Sequence, residues 1–299
     1  MQMAHPSLPE FDYIRPSSLM EASQFLASHA GEARIFMGGT DMFVRMRDGA
    51  WTANYLVDIK PLEGTNQIQF DPAEGLTIGA AVNMNRVIAS PEVNNFYPLL
   101  AQAAHSVASY QLRTRATIVG NICNASPAGD TTGTCIALGG VLQVHGLDGF
   151  RMEPLSTFFK GPGKTSLRLG DVVTAIKFPP PQKDAVGKYL KLGRNVIGDL
   201  AIVGVTVLGY PDKSTSSGYH FKIVLASVAP VPLVSAHAEA VLADKPITPQ
   251  TIEEAAQAAM DDCSPIDDIR GSARYRKHMV RNLTQKALLE VWQQLSKAI

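Results

Sequence analysis

The hydrophobic pattern changes period several times along the chain, and each change predicts an element. Leu19, Ala22, Phe25 and Leu26 recur at helical spacing behind Ser18-x-x-Glu21, a capping box, and Gly31 follows as a stop. Arg34-Ile35-Phe36-Met37 is a short apolar run ending at Gly38-Gly39, which predicts a strand entering a tight turn. Thr40 or Asp41 then caps a short helix through Met46. Tyr55–Ile59 reads as a strand, and Pro61 and Gly64 close a first lobe. Leu76–Ile78 is a strand, Pro98–Val107 and Asp130–Leu138 are helices, and Val141–Val144 is a strand. Val172–Phe178 is a strand that stops at Pro179-Pro180-Pro181, a run that cannot continue a sheet interior and reads as a domain boundary. Beyond it, Lys188–Leu192, the almost continuously apolar Ala201–Leu208 and Tyr219–Val228 read as strands, with a polar hairpin loop at Asp212–Gly218. Thr248–Met260 and Ser272–Leu295 are helical. Strands followed by helices predict an α+β unit with helices on one face of an antiparallel sheet. No repeat of solenoid length and no low-complexity segment is present.

Composition narrows the classes. With 45% apolar and 18% charged residues, the 299-residue chain can bury a sizeable core and is not intrinsically disordered. Lys+Arg and Asp+Glu both number 27, and no basic block is present, which argues against nucleic-acid binding. Cys123, Cys135 and Cys263 form no CxxC, are too few for an all-cysteine iron–sulfur cluster and give no disulfide framework, so the reducing cytoplasm is the expected compartment. MQMAHPSLPEFDY lacks a basic segment followed by an apolar run, so no signal peptide is expected. Leu200–Tyr210 falls well short of the ~20 apolar residues of a membrane span. Seven histidines show no HxH or HExxH spacing and are expected on the surface or in the core. Arg274, Arg276, Lys277 and Arg281 form a basic cluster on the last helix, read as a solvated face or a subunit contact, with Asp267 and Asp268 opposing the helix dipole.

Two glycine segments carry the candidate chemistry. In Met37-Gly38-Gly39-Thr40-Asp41, glycines permit positive φ, and successive free N–H groups before a helix make an anion-binding concavity. The second is Thr117-Ile118-Val119-Gly120-Asn121-Ile122, followed by the small, polar stretch Asn124–Asp130. A pyrophosphate gripped from two sides suits two such loops. Neither is GxGxxG, so a Rossmann fingerprint is not supported. Gly161-Pro162-Gly163-Lys164-Thr165 has Phe158 where a P-loop needs glycine and reads as a turn.

Four blocks in order, RIFMGGTDMF, RTRATIVGNICNASPAGD, FFKGPGKTSLRLGDVV and SPIDDIRGSARYRKHMV, resemble the FAD-binding medium subunit of molybdenum-containing hydroxylases, the flavoprotein family of xanthine and carbon monoxide dehydrogenases. The resemblance covers nearly the whole chain. Against the family's AGGTDL and TIGGN, this chain has Met37 for Ala and Val119 for Gly, and a β-branched residue takes positive φ only at a cost.

The resemblance implies a two-lobed FAD-binding domain of the vanillyl-alcohol oxidase type over residues 1–181, with lobes of about 1–64 and 65–181. A C-terminal α+β domain with an antiparallel sheet and helices follows over 182–299. It also implies the cofactor contacts. The FAD pyrophosphate lies between Ile35, Phe36, Met37, Gly38, Gly39, Thr40, Asp41 and Met42 on one side and Thr117, Ile118, Val119, Gly120 and Asn121 on the other. Val107 is a further cofactor contact, Asp130 lies near the FAD sugar chain, and Val173 and Lys191 lie beside the isoalloxazine. Leu192–Ile202 matches a loop running alongside the flavin ring in xanthine-oxidising relatives. From the residues alone, Asp130 reads first as a cap for a helix beginning at Thr131, and Lys191, on the strand with Tyr189, is solvent-exposed by default.

By the same resemblance the chain is an oxidoreductase subunit. Electrons reach FAD from [2Fe–2S] clusters on a small iron–sulfur subunit and pass to an acceptor such as NAD or a quinone. A large subunit carries the molybdenum cofactor, and the assembly is a dimer of heterotrimers. No catalytic residue and no metal ligand is expected on this chain. A self-sufficient flavin oxidase remains the alternative, with His105 and Tyr110 as its acid/base candidates. A nucleotide-binding assembly factor without redox work is a third.

Overall fold

The computed structural model describes residues 7–195 and 197–297. The first six residues of the start read for a signal peptide, and Val196 within the loop 192–202, lie outside the described residues. The first lobe contains β1 (Asp12–Ile14), α1 (Leu19–Ser28), β2 (Ala33–Phe36), α2 (Met42–Arg47) and β3 (Tyr55–Asp58). The second lobe begins with β4 (Ile68–Asp71), β5 (Gly75–Gly79), α3 (Met84–Ala89), α4 (Pro91–Phe96), α5 (Pro98–His105), α6 (Tyr110–Arg113), α7 (Ile118–Cys123) and α8 (Thr132–Ala137). It continues through β6 (Val141–Gly146), β7 (Gly149–Pro154), α9 (Leu155–Phe158), β8 (Phe159–Gly161), β9 (Lys164–Thr165) and β10 (Val172–Phe178). The C-terminal part contains β11 (Val186–Leu192), β12 (Val203–Pro211), β13 (Tyr219–Ala226), β14 (Leu233–Val234), α10 (Ala236–Asp244), α11 (Pro249–Asp262) and α12 (Ala273–Leu295).

The first lobe is a parallel sheet in the order β1-β3-β2. Ala22 and Leu26 of α1 pack on Val57 and Ile59, so the helical spacing of the apolar positions becomes the buried face. The capping box forms in half: the Ser18 hydroxyl accepts the Glu21 N–H at 3.1 Å, while the Glu21 carboxylate reaches back to Ser17 rather than to Ser18.

The second lobe is built on an antiparallel sheet in the order β4-β5-β10-β6-β7. Leu76, Ile78, Leu142, Val144 and Ile176 from its strands share a core with Met84, Leu100, Ile118 and Ile122 from its helices. The edge strand β7 and the short helices α3, α4 and α6 are not foreseen above, because each is brief and none carries a sustained apolar period. The segment Gly161–Thr165 is the turn joining β8 to β9.

The C-terminal sheet is antiparallel, in the order β11-β12-β13-β14. Val203, Val205 and Val207 of β12 join a core with α10–α12. On the opposite face, Leu208, Val224 and Tyr189 pack against Leu99 and Ala103 of α5 and Ala137 of α8. Both faces of β12 are therefore covered, which is why its sequence reads as a continuous apolar run rather than an alternation. The C-terminal helices occupy one face, as expected, and the second lobe occupies the other.

The basic cluster on the last helix divides. Arg276 is 3% exposed and is not part of a solvated face. Its guanidinium donates to the Ile202 carbonyl at 2.9 Å, the Ser227 carbonyl at 3.0 Å and the Asp268 carboxylate at 2.5 Å. A buried charge is stable only when paired in this way. The Asp267 carboxylate accepts the Ala273 N–H at 2.6 Å, at the start of α12.

Candidate functional site

Strand β2 delivers the first glycine turn. Phe36 is its last residue and is buried against the Tyr13 and Phe43 rings. Gly38 then passes so close to the second lobe that an added Cβ would overlap the Arg115 carbonyl oxygen. Gly39 has φ +74°, and its Cβ would stand 2.8 Å from the Phe36 ring. The two glycines thus meet different demands, close approach at the first and left-handed backbone at the second. The N–H groups of Gly38, Gly39, Thr40, Asp41 and Met42 have no acceptor among the described residues.

The expected side-chain cap on α2 is absent. Asp41 occupies the cap position with helical backbone, φ −92° and ψ −37°, from which its side chain makes no bond to the helix. Its carboxylate instead accepts the Asn124 amide at 3.1 Å. The result leaves a concavity of free N–H donors at the mouth of α2, suited to an anion.

The second glycine segment is not a turn but the start of α7. Thr117 caps it, its hydroxyl accepting the Gly120 N–H at 2.9 Å. Val119 lies in the helix, so its β-branched side chain meets no positive φ. Gly120 serves the cap: a Cβ there would stand 2.9 Å from the Thr117 hydroxyl oxygen. The N–H groups of Ile118 and Val119 have no acceptor among the described residues.

A cleft of about 610 Å³ joins these segments, a volume within the ordinary range for a cofactor site. It is lined by Ile35, Met37, Gly38, Gly39, Thr40, Asp41, Met42, Val107, Thr117, Val119, Gly120, Asn121, Asp130 and Val173. Three expected contacts do not line it. Phe36 and Ile118 are buried in the core, and Lys191 stands behind Asp130.

Asp130 is not a helix cap. Thr131 holds that position, and both Asp130 oxygens face β11: Oδ1 accepts the Tyr189 hydroxyl at 2.7 Å and Oδ2 accepts Lys191 Nζ at 2.8 Å. Lys191 is not solvent-exposed either, since its ammonium also donates to the Ser106 carbonyl at 3.2 Å. Residues 189 and 191 share one face of their strand, so both side chains reach the same carboxylate. Burial pushes the Asp130 carboxyl above its ordinary value, and Lys191 and Tyr189 pull it back. Burial beside that carboxylate pushes the Tyr189 hydroxyl well above its own. Each carboxylate oxygen retains a lone pair for a ligand hydroxyl.

Arg34, Arg45 and Trp51 of the first lobe line the cleft without any sequence signal that points to them, whereas Gly198, Asp199 and Leu200 belong to the loop 192–202 that the resemblance places alongside the flavin ring. Asn124 and Ser126 belong to the small, polar stretch after the second glycine segment, which is the one signal that pointed to them. Asn124 Oδ1 is buried without a hydrogen-bond partner, an acceptor left for a donor from outside the protein. Neither His105 nor Tyr110 lines the cleft, and Tyr110 is 66% exposed.

The arrangement fits a flavin dinucleotide. Open N–H groups on two helix starts suit its pyrophosphate, and Asp130 and Asn124 suit its hydroxyls.

Known proteins agree. The family described as the FAD binding domain in molybdopterin dehydrogenase matches residues 9–181, and the CO dehydrogenase flavoprotein C-terminal domain matches 188–291. The carbon monoxide dehydrogenase medium chain of Hydrogenophaga pseudoflava is 32% identical over 284 residues, 95% of this chain and 98% of that one. The xanthine dehydrogenase FAD-binding subunit of Escherichia coli O157:H7 is 29% identical over 279 residues, 93% of this chain and 94% of that one. A solved carbon monoxide dehydrogenase from Hydrogenophaga pseudoflava, lacking the Mo-pyranopterin moiety of its cofactor, superposes with a TM-score of 0.91 at 32% identity, covering 96% of this chain and 99% of that one. Quinoline 2-oxidoreductase from Pseudomonas putida 86 gives 0.89 at 26% identity, covering 97% and 99%. With family models matched in order over residues 9–181 and 188–291, this chain belongs to the FAD-binding medium-subunit family of molybdenum hydroxylases, and is an oxidoreductase subunit.

Proposed function

We propose that this chain relays electrons between a small iron–sulfur subunit and an external acceptor. Residues 1–181 hold FAD between lobes of about 1–64 and 65–181, and residues 182–299 close the site from the C-terminal side. FAD supplies the redox chemistry when bound, taking up two electrons and passing them on. The protein's part is to bind and orient. The N–H groups of Gly38–Met42 and of Ile118–Val119 hold the pyrophosphate. Asp130, fixed by Tyr189 and Lys191, receives hydroxyls of the sugar chain, while Val107 and Val173 supply apolar wall. Lys191 places its charge close to the isoalloxazine side of the cleft.

The observation that carries this reading is the run of five unpaired N–H groups at residues 38–42, facing the capped start of α7 across the approach of Gly38 to Arg115. Among the described residues, no three His, Cys, Asp or Glu side chains gather as metal ligands, and no helix is long and apolar enough to cross a membrane. In this reading the clusters and the molybdenum cofactor are carried by partners, a small and a large subunit, in a cytoplasmic dimer of heterotrimers. Substrate oxidation occurs on the large subunit. The names of the medium-chain relatives support this division of labour.

Affinity purification from the native host tests the reading. An iron–sulfur subunit and a larger molybdenum subunit should accompany this chain in equal amounts, and acid should release its FAD intact: among the described residues no histidine lines the cleft, and burial pushes the thiol of Cys123, the cysteine that does, up to about 12, away from the thiolate that attachment needs. Recovery of a lone yellow chain whose flavin is bleached by a small organic substrate would replace the reading with a self-sufficient oxidase.

A further inference from the structure

The cleft contains two cations that take no part in holding the pyrophosphate or the sugar chain. Arg34 in β2 and Arg45 in α2 both place their guanidinium over the indole of Trp51, with Cζ 4.6 and 4.4 Å from the ring centroid. All three residues line the cleft. Arg34 donates to the Thr52 carbonyl at 3.3 Å, and neither guanidinium has a carboxylate partner among the described residues. Burial and the charge of Arg45 lower the proton affinity of Arg34. Two like charges held around one ring repel each other, and each stays in place through its cation–π contact. Such a pair is relieved by an anion, and a planar guanidinium also stacks on a heteroaromatic base. A nucleotide offers both.

Position selects which half of the dinucleotide. β2 runs directly into the N–H groups that begin at Gly38, and Arg45 stands on the helix those groups open. The three residues therefore flank the pyrophosphate site on the first lobe alone. Val173, Asp130 and Leu200 line the cleft from the second lobe and the C-terminal part. This step rests on the reading above, which places the isoalloxazine beside Val173 and Lys191, and it leaves the adenosine half for the first-lobe side.

We infer that Arg34, Trp51 and Arg45 form an adenylate shelf, which makes the site prefer FAD over FMN. The shelf carries no chemistry. It adds affinity for the half of the cofactor that FMN lacks.

The test is a titration of the full-length chain, stripped of flavin, with FAD, FMN and ADP. In the unsubstituted chain FAD binds more tightly than FMN, and ADP displaces FAD. Arg34→Met with Arg45→Met should raise the FAD Kd by about tenfold or more, leave the FMN Kd in place and abolish ADP displacement. Arg45→Gln, at a half-buried position of a short helix, carries the same comparison with a smaller change if the double substitution unfolds. FAD and FMN weakening by the same factor would show that the stack merely braces the loop after α2, and would overturn the proposal. So would an unchanged FAD Kd, or displacement by ADP that survives the substitutions. An unsubstituted chain that takes up no flavin at all would overturn the underlying FAD reading as well, and is recognised before any variant is made.

Discussion

Gly38→Ala should weaken FAD binding by about a hundredfold or more, an effect equivalent to ~2.7 kcal/mol or above. The added methyl would overlap the Arg115 carbonyl oxygen, a backbone atom that no rotamer change can remove. Arg115 leads through Ala116 into Thr117, the cap of α7, so any relief moves the second phosphate-binding segment away from the first. A single carbon thereby opens the cleft along its pyrophosphate seam. Gly31→Ala is the control. Gly31 has φ +81° and open space around its Cβ, so it meets backbone strain of about 1 kcal/mol without touching the cleft. Fluorescence titration of both variants with FAD separates lost stability from lost affinity. Equal Kd values would show that the close approach does not shape the site.

The second large effect concerns Asp130. Asp130→Ala leaves the Lys191 ammonium and the Tyr189 hydroxyl buried without their carboxylate. Breaking a buried pair from one side costs about 3–5 kcal/mol, because the remaining charge is uncompensated. The chain should therefore unfold at distinctly lower denaturant. Asp130→Ala with Lys191→Met removes both charges and should recover most of that stability. FAD affinity separates structural from cofactor roles. If Asp130 receives cofactor hydroxyls, the double variant regains stability but not affinity. If both return together, Asp130 only ties the second lobe to β11.

How much of this was legible from the residues depends on the distance over which each feature is decided. β10 matches its expected bounds because an apolar run ends at three prolines that cannot extend a sheet. α12 begins directly after Ser272, which caps it locally. The first glycine turn was legible for the same reason, since the Gly-Gly follows a strand directly. The second reads as a loop in the sequence and is a helix start in the structure. Small, polar and glycine residues in TIVGNICNAS resemble a loop, and only the Thr117–Gly120 cap shows that a helix begins there. The pairing of Asp130 with Tyr189 and Lys191 spans 59 and 61 residues. No local period encodes such a contact, although the two-residue spacing of Tyr189 and Lys191 puts them on one face of a strand. Trp51 is likewise brought within reach of both Arg34 and Arg45 by the return of the chain after α2, which residue order alone does not reveal.

The relay itself is tested most directly by delivering electrons from the proposed side. The FAD-loaded chain would be mixed anaerobically with its iron–sulfur partner, whose clusters have been reduced in advance, and the flavin absorbance followed in a stopped-flow instrument. The account predicts rapid bleaching of the flavin, saturating at two cluster electrons per FAD, with reoxidation on addition of the acceptor. A flavin that stays oxidised beside fully reduced clusters would contradict it.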